Sequence, residues 1–76
     1  MPRTPLSLWD AQTGKRIRIA RLASKLTQQT VADKLGCTFQ AVQKLEKGTT
    51  KLTAHTALVL ADLFNIDVRQ LLGITP

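Results

Sequence analysis

Apolar residues in the middle of the chain recur every three or four positions, which is the spacing of one face of an α-helix. This pattern predicts a helix over 28–35 with Thr27 as its N-cap. The buried face of this helix would consist of Val31, Ala32 and Leu35. Gly36 would end the helix, because glycine adopts the left-handed backbone conformation without a steric cost.

The next stretch, 39–47, predicts a helix with two distinct faces that begins after Thr38. Its apolar face consists of Ala41, Val42 and Leu45. The opposite face carries two amides and two amines but no acid, namely Gln40, Gln43, Lys44 and Lys47. Glu46 lies at the edge of the apolar face, and Gly48 would end the helix.

A longer helix is predicted ahead of these two, from about Ala11 or Thr13 to Lys25. Its inward face would contain Ile17, Ala20, Arg21 and Ser24. A charged side chain on an inward face requires a partner. We expect Glu46 to be that partner for Arg21.

Two further helices are predicted towards the C-terminus. Thr53 would cap a helix over 54–64. Its inward residues would be Leu58, Ala61 and either Leu60 or Phe64. Asp67 would cap a short helix over 68–72 that ends at Gly73.

Five helices with short connections and no strand pattern predict an all-α fold, a compact five-helix bundle with a central helix-turn-helix. Pro2 and Pro5 predict an irregular N-terminal arm over 1–10, followed by one domain over 11–76. Length and composition agree, because 76 residues suffice for one core and 43% of them are hydrophobic while only 4% are aromatic.

The net charge of the chain indicates what kind of molecule it binds. Eleven basic against five acidic side chains give a net charge of +6, and ten of the eleven lie between Arg3 and Lys51. Clustered cations favour a polyanion, since binding phosphates releases counterions. Duplex DNA is favoured over RNA, because the chain lacks an aromatic platform for stacking bases. The alternative is a basic surface that serves solubility alone.

The sequence offers little chemistry for catalysis or metal binding. Cys37 and His55 are the only residues of their types, so neither an intrachain disulfide nor a structural zinc site is expected. Without a nucleophile and base set or a glycine-rich phosphate loop, we expect no enzyme, no metal and no cofactor. No apolar run reaches the roughly 18 residues of a membrane span. With no signal peptide either, a cytoplasmic protein without a membrane partner is predicted.

Two short helices joined by a glycine turn, the second with an acid-free polar face, form the arrangement that places a recognition helix in the major groove. Counted from Gln28, the residues that shape this arrangement are Ala32 (fifth), Gly36 (ninth), Val42 (fifteenth) and Leu45 (eighteenth). Ala32 would allow the helices to approach closely, and Gly36 would make the turn. The two later residues would hold the second helix against the core.

On these residues, the stretch 14–72 resembles the phage repressor and Cro-type (XRE-like) helix-turn-helix family, which has the lambda-repressor-like fold. The matching residues are Gly14 to Arg18, Leu26 to Gln28, Ala32, Lys34 to Gly36, Leu45 to Gly48, and the pairs Leu60-Ala61 and Leu71-Leu72. The run 38–46 is similar to a subgroup of bacterial chromosomal regulators. The resemblance implies a sequence-specific regulator of transcription that binds double-stranded DNA, as a repressor.

The roles of the family carry over where the residues match. Bases would be read by Phe39, Gln40, Gln43 and Lys44. Phosphates would be held by Gln28, as in the family, together with Lys47, Lys51 and the loop residue Thr49. Arg21 and Glu46 match a buried ion pair of the family. Phe39 and Ala41 depart from its polar residues and suit a thymine methyl, although Phe39 could instead be a core or interface residue.

Apolar residues beyond those that a four-helix core needs predict a homodimer. Its interface would contain Trp9, Val68, Leu71, Leu72 and Ile74. A dimer would place two recognition helices in half-sites of an inverted repeat, about 34 Å apart. The alternative is that Trp9 and Leu72 cover the core of the monomer itself.

Two other functions stay open from the sequence. The chain could be the DNA-binding antitoxin of a toxin–antitoxin pair, or a protein-interaction module that has lost DNA binding. The acid-free polar face argues against the second, because a domain released from DNA has no need to keep it. No small-molecule effector is evident.

Overall fold

A computed structural model describes the backbone of residues 8–74 and the side chains of residues 10–74. The helices, in chain order, are α1 (Leu8–Ala23), α2 (Gln28–Leu35), α3 (Phe39–Lys47), α4 (Ala54–Phe64) and α5 (Val68–Leu72). No strand occurs within residues 8–74. The predicted all-α, five-helix architecture is confirmed.

The bounds of α2 to α5 agree with those predicted, because each helix is capped by its own neighbouring residues. Thr27, Thr38 and Thr53 each accept a hydrogen bond from the backbone N–H three residues further on. Each of the four helices also ends at a residue in the left-handed conformation, a glycine in three of them and Asn65 after α4. These caps satisfy backbone groups that helix ends otherwise leave without partners.

The predicted bounds of α1 were wrong at both ends. The helix begins at Leu8, so residues 8–10 belong to it and not to the arm. No proline lies between Pro5 and the end of α1, and Asp10 in the first turn favours the helix N-terminus. At the other end, Lys25 takes a left-handed conformation with φ 59°. A closing bond from the Leu26 N–H to the Arg21 carbonyl, 3.2 Å long, then ends the helix.

The core is made by all five helices. Its buried members are Ile17, Val31, Ala32, Val42, Leu60, Phe64 and Leu71. The prediction that Leu58 faces inward was wrong, since its side chain is 58% exposed. Residues of an α-helix turn by about 100° each. The inward face of α4 therefore passes through Ala57, Leu60, Ala61 and Phe64, to one side of Leu58.

Leu71 was predicted in the dimer interface, and the structure corrects this. It is only 1% exposed and belongs to the core, because α5 is short and its one fully inward position falls on this residue. Val68 and Leu72 are partly buried, and Ile74 is 56% exposed. The side chain of Trp9 lies outside the described residues.

Helices α1 and α3 pack with their backbones in close approach. A Cβ atom added at Gly14 would lie 2.5 Å from the carbonyl oxygen of Glu46 and 2.6 Å from that of Leu45. One added at Gly48 would lie 2.6 Å from the Cα of Ala11. Both glycines are therefore required by packing, and they fix the position of the C-terminal half of α3.

Candidate nucleic-acid interface

Helix α3 presents one polar face to solvent. Gln40, Lys44 and Lys47 are exposed, whereas Gln43 is partly buried. On the other side of the helix, Val42 is buried and Ala41 and Leu45 are partly buried. Phe39, at the first turn, is 37% exposed and lines an open groove beside the α1–α2 connection. The predicted division of α3 into two faces is confirmed.

The only acid of α3, Glu46, is withdrawn from this polar face. It is 8% exposed, and Arg21 of α1 is 6% exposed. The Arg21 Nε donates to Glu46 Oε2 at 2.6 Å, and its Nη2 donates to Oε1 at 3.3 Å. A third donor of Arg21, Nη1, is satisfied by the Leu26 carbonyl at 2.9 Å. The predicted buried ion pair is therefore present.

Glu46 also receives a side chain from α2. The Gln28 Nε2 donates to Glu46 Oε1 at 3.0 Å. In addition, the Arg18 Nη1 lies 3.8 Å from the same oxygen. One buried carboxylate thus joins α1, α2 and α3, an arrangement in which Gln28 already has a partner. The phosphate contact predicted for Gln28 would use the rest of this amide or the backbone at the start of α2.

A polar pocket of about 280 Å³ opens between these three helices. Its walls are Arg18, Gln28, Gln43, Glu46 and Lys47. Arg21 neutralises Glu46 from behind, so the remaining charges on the wall are positive. The pocket is therefore suited to an anion.

The loop after α3 serves first as a helix cap. The Thr49 N–H donates to the Lys44 carbonyl at 3.0 Å, and the Thr49 hydroxyl donates to the same oxygen at 3.2 Å. The phosphate contact predicted for Thr49 would require its hydroxyl to leave this cap. Lys51 is exposed two residues further on.

Helix α5 is held at both ends by arginines. At its N-terminus Asp67 accepts from the Arg69 backbone N–H and from Arg69 Nη2, both at 2.8 Å. The hydrogen bond from the Arg69 side chain, followed by the one from its backbone, lowers the pKa of Asp67 to about 2. The cap is therefore ionised at neutral pH. Because both side chains are exposed, the ion pair itself adds little stability.

Arg16 holds the other end of α5, a role that the sequence analysis missed. Its Nε donates to the Leu71 carbonyl at 2.9 Å, and its Nη2 donates to Thr13 Oγ1 at 2.8 Å. The guanidinium lies against Gly73, where an added Cβ would be 2.6 Å from its Cζ. The partner carbonyl is 55 positions away in the chain, and no local pattern signals such a contact.

Within residues 8–74, no helix is both long and apolar enough to cross a membrane. Among those residues, no three potential metal-ligating side chains of His, Cys, Asp or Glu come together. Cys37 and His55 are both exposed.

Residues 17–71 match the helix-turn-helix family. The chain is 36% identical over 59 residues to an HTH-type transcriptional regulator of Sinorhizobium medicae, covering 78% of this chain and 42% of that protein. It is 42% identical over 59 residues to the transcriptional regulator in the ATPase CF(0) region of Rhodospirillum rubrum, covering 78% of this chain and 55% of that protein. The chain thus spans about half the length of these relatives.

Among solved structures, the fold is similar to that of the restriction-modification controller protein C.AhdI from Aeromonas hydrophila. The TM-score is 0.74 at 31% sequence identity, and the match covers 80% of this chain and 92% of that one. The similarity therefore extends over nearly the whole of the controller protein.

Proposed function

Because this chain belongs to the helix-turn-helix family, as its sequence predicts, we propose that it binds specific sites on double-stranded DNA and regulates transcription. The observation that carries the proposal is the acid-free polar face of α3, whose one carboxylate is buried against Arg21. A face that docks on phosphates and bases gains from the removal of this negative charge. The relatives named as transcriptional regulators support the same function.

The proposed interface has two groups of residues with different tasks. Phe39, Gln40, Gln43 and Lys44 would meet base edges in the major groove. A glutamine amide can pair with adenine through two hydrogen bonds, and a lysine can donate to guanine. Gln28, Lys47, Thr49 and Lys51 would contact phosphates, which fix the register of the protein but carry no sequence information directly.

We further propose that the protein is a repressor that acts as a homodimer on an inverted repeat. One α3 helix offers about four side chains to bases, fewer than a unique genomic site requires. Two helices in half-sites about 34 Å apart would double the number of bases that are read. A dimer bound at a promoter excludes other proteins from the same groove, which gives repression. As the relatives are bacterial, we place its action in the cytoplasm, where bacterial DNA lies.

Base reading is tested by removing the amides of α3. A preferred duplex is first selected from a random pool by sequencing the bound fraction. Gln40→Ala and Gln43→Ala should each weaken binding to this duplex by roughly 1–3 kcal/mol, because hydrogen bonds to a base are lost. Binding to a scrambled duplex should hardly change. Affinities are measured by fluorescence anisotropy.

Lys51→Ala is the matched control for a phosphate contact. It should weaken binding to the selected and scrambled duplexes equally, and it should reduce the slope of log affinity against log salt by about one unit. If Gln40→Ala and Gln43→Ala also weakened binding to both duplexes equally, the conclusion would be that Gln40 and Gln43 do not read bases.

The dimer is tested at Ile74, the most exposed described residue of the proposed interface. Ile74→Glu should shift the protein towards its monomer mass of 8.4 kDa in sedimentation experiments at micromolar concentration, because a charge in an apolar interface is costly. Leu58→Glu is the control, since this α4 side chain is equally exposed and lies outside the proposed interface. The dimer is ruled out if the wild type sediments as a monomer and binds single half-sites as tightly as inverted repeats.

A further inference from the structure

We propose that Arg18, which lies on α1 and outside the helix-turn-helix pair, binds a backbone phosphate of DNA in the polar pocket between α1, α2 and α3. The inference deepens the proposed function and rests on it. It assigns to the first helix a direct contact with DNA.

The first observation is the geometry of Arg18 relative to Glu46. Its Nη1 lies 3.8 Å from Glu46 Oε1, beyond the length of a hydrogen bond. That carboxylate already accepts from Arg21 on both oxygens and from Gln28 on Oε1. The side chain of Arg18 is 58% exposed, whereas that of Glu46 is 4% exposed. Arg18 therefore lines the pocket without a hydrogen bond to Glu46, and its planar donors can turn to an anion.

The second observation is the charge around the pocket. Glu46 is neutralised by Arg21, so Arg18 and Lys47 leave a positive wall. Gln28, the first residue of α2, stands on the same wall. The start of an α-helix carries partial positive charge and backbone N–H groups suited to a phosphate. Three helices thus contribute positively charged or hydrogen-bond-donating groups to one site.

The third observation identifies DNA as the source of the phosphate. The pocket shares Gln43 and Lys47 with the polar face of α3. A duplex that contacts this face brings its closely spaced phosphates to the mouth of the pocket, because each strand carries one phosphate per about 3.4 Å. A free phosphate ion would offer the same chemistry, and the experiment separates the two sources.

The test compares Arg18→Ala with Lys34→Ala on the selected duplex and a scrambled one. Both variants remove one positive charge from an exposed side chain, but Lys34 lies in the last turn of α2, at the end away from Gln28. Arg18→Ala should weaken binding to both duplexes equally and reduce the salt slope by about one unit. Lys34→Ala should leave the slope unchanged. Arg18→Lys should retain the slope, because the charge is kept.

A second measurement locates the contact. Methylphosphonate linkages, which are uncharged, replace the phosphates of the selected duplex one at a time. One linkage should weaken binding of the wild type and have no effect on Arg18→Ala, since the variant has already lost that contact. Thermal unfolding of Arg18→Ala should match that of the wild type, which separates DNA contact from a structural role.

Each other outcome is informative. If the wild type binds no duplex, the proposed function fails and the inference fails with it. If the wild type binds but Arg18→Ala has the same slope as the wild type, only the Arg18 inference is overturned. Nuclear magnetic resonance titration with inorganic phosphate alone is the third arm. Arg18-dependent phosphate binding without any change in duplex affinity would assign the pocket to a free anion instead.

Discussion

Glu46→Ala is expected to lower the free energy of unfolding by about 3–5 kcal/mol, because it leaves the guanidinium of Arg21 buried without its partner. The pair is joined by hydrogen bonds of 2.6 and 3.3 Å, and both residues are less than a tenth exposed. The loss should exceed that expected for most surface substitutions. Urea denaturation followed by circular dichroism provides the measurement.

The matched control replaces both partners with apolar residues of similar volume, as in the double variant Arg21→Met with Glu46→Leu. This variant should be far less destabilised than Glu46→Ala, since no buried charge is left without a partner. In the double variant the Gln28 amide loses its acceptor and the Leu26 carbonyl loses its donor, so some loss of stability is expected. Equal unfolding free energies for the single and double variants would mean that the buried charge is not what destabilises the protein.

Gly14→Ala is the second substitution with a large expected effect, and here the sign of the effect is diagnostic. Helix propensity alone predicts that alanine in place of a helical glycine stabilises by about 0.5–1 kcal/mol. The new Cβ, however, would lie 2.5 Å from the Glu46 carbonyl oxygen, which belongs to the backbone and cannot rotate away. We expect a net loss of about 1–3 kcal/mol from this overpacking.

Gly14→Val should cost more than Gly14→Ala, because a larger side chain forces α1 and α3 further apart. Both variants should also weaken DNA binding by more than the fraction of unfolded protein explains. The reason is that the displacement of α1 from α3 moves α3 relative to the start of α2. The midpoint of urea denaturation and the affinity for the selected duplex test the two effects. A higher denaturation midpoint for Gly14→Ala would show that the helices can separate without cost.

These two substitutions affect the same place in the molecule for different reasons. Gly14 sets how closely α1 approaches α3, and Glu46 ties α3 to α1 and α2 through Arg21 and Gln28. The orientation of α3 therefore depends on its contacts with α1 as well as on the turn that precedes it. Arg18 lies beside Glu46 in the pocket that borders the proposed DNA-binding surface.

Local chemistry alone was enough to predict α2 to α5. The threonine and aspartate caps and the glycine or asparagine stops act within a few residues of the helix ends they satisfy, so their effect is visible in the sequence. The predicted start of α1 was wrong because Pro2 and Pro5 do not prevent a helix from beginning at Leu8. The predicted end of α1 was wrong because the residue in the left-handed conformation after this helix is Lys25. A glycine usually occupies that position, so the sequence gives no sign of the helix end here.

The sequence by itself determined the bounds of α2 to α5, the acid-free face of α3 and the pairing of Arg21 with Glu46. Caps and periodicity constrain the helices and their faces, and the cost of burying an isolated charge constrains the pair. Only the tertiary structure decided that Leu71 fills the core, that Arg16 holds the Leu71 carbonyl, and that Gln28 and Arg18 meet at one carboxylate. These contacts join residues far apart in the chain. Their formation depends on how closely and at what angle the helices pack, which no local pattern specifies.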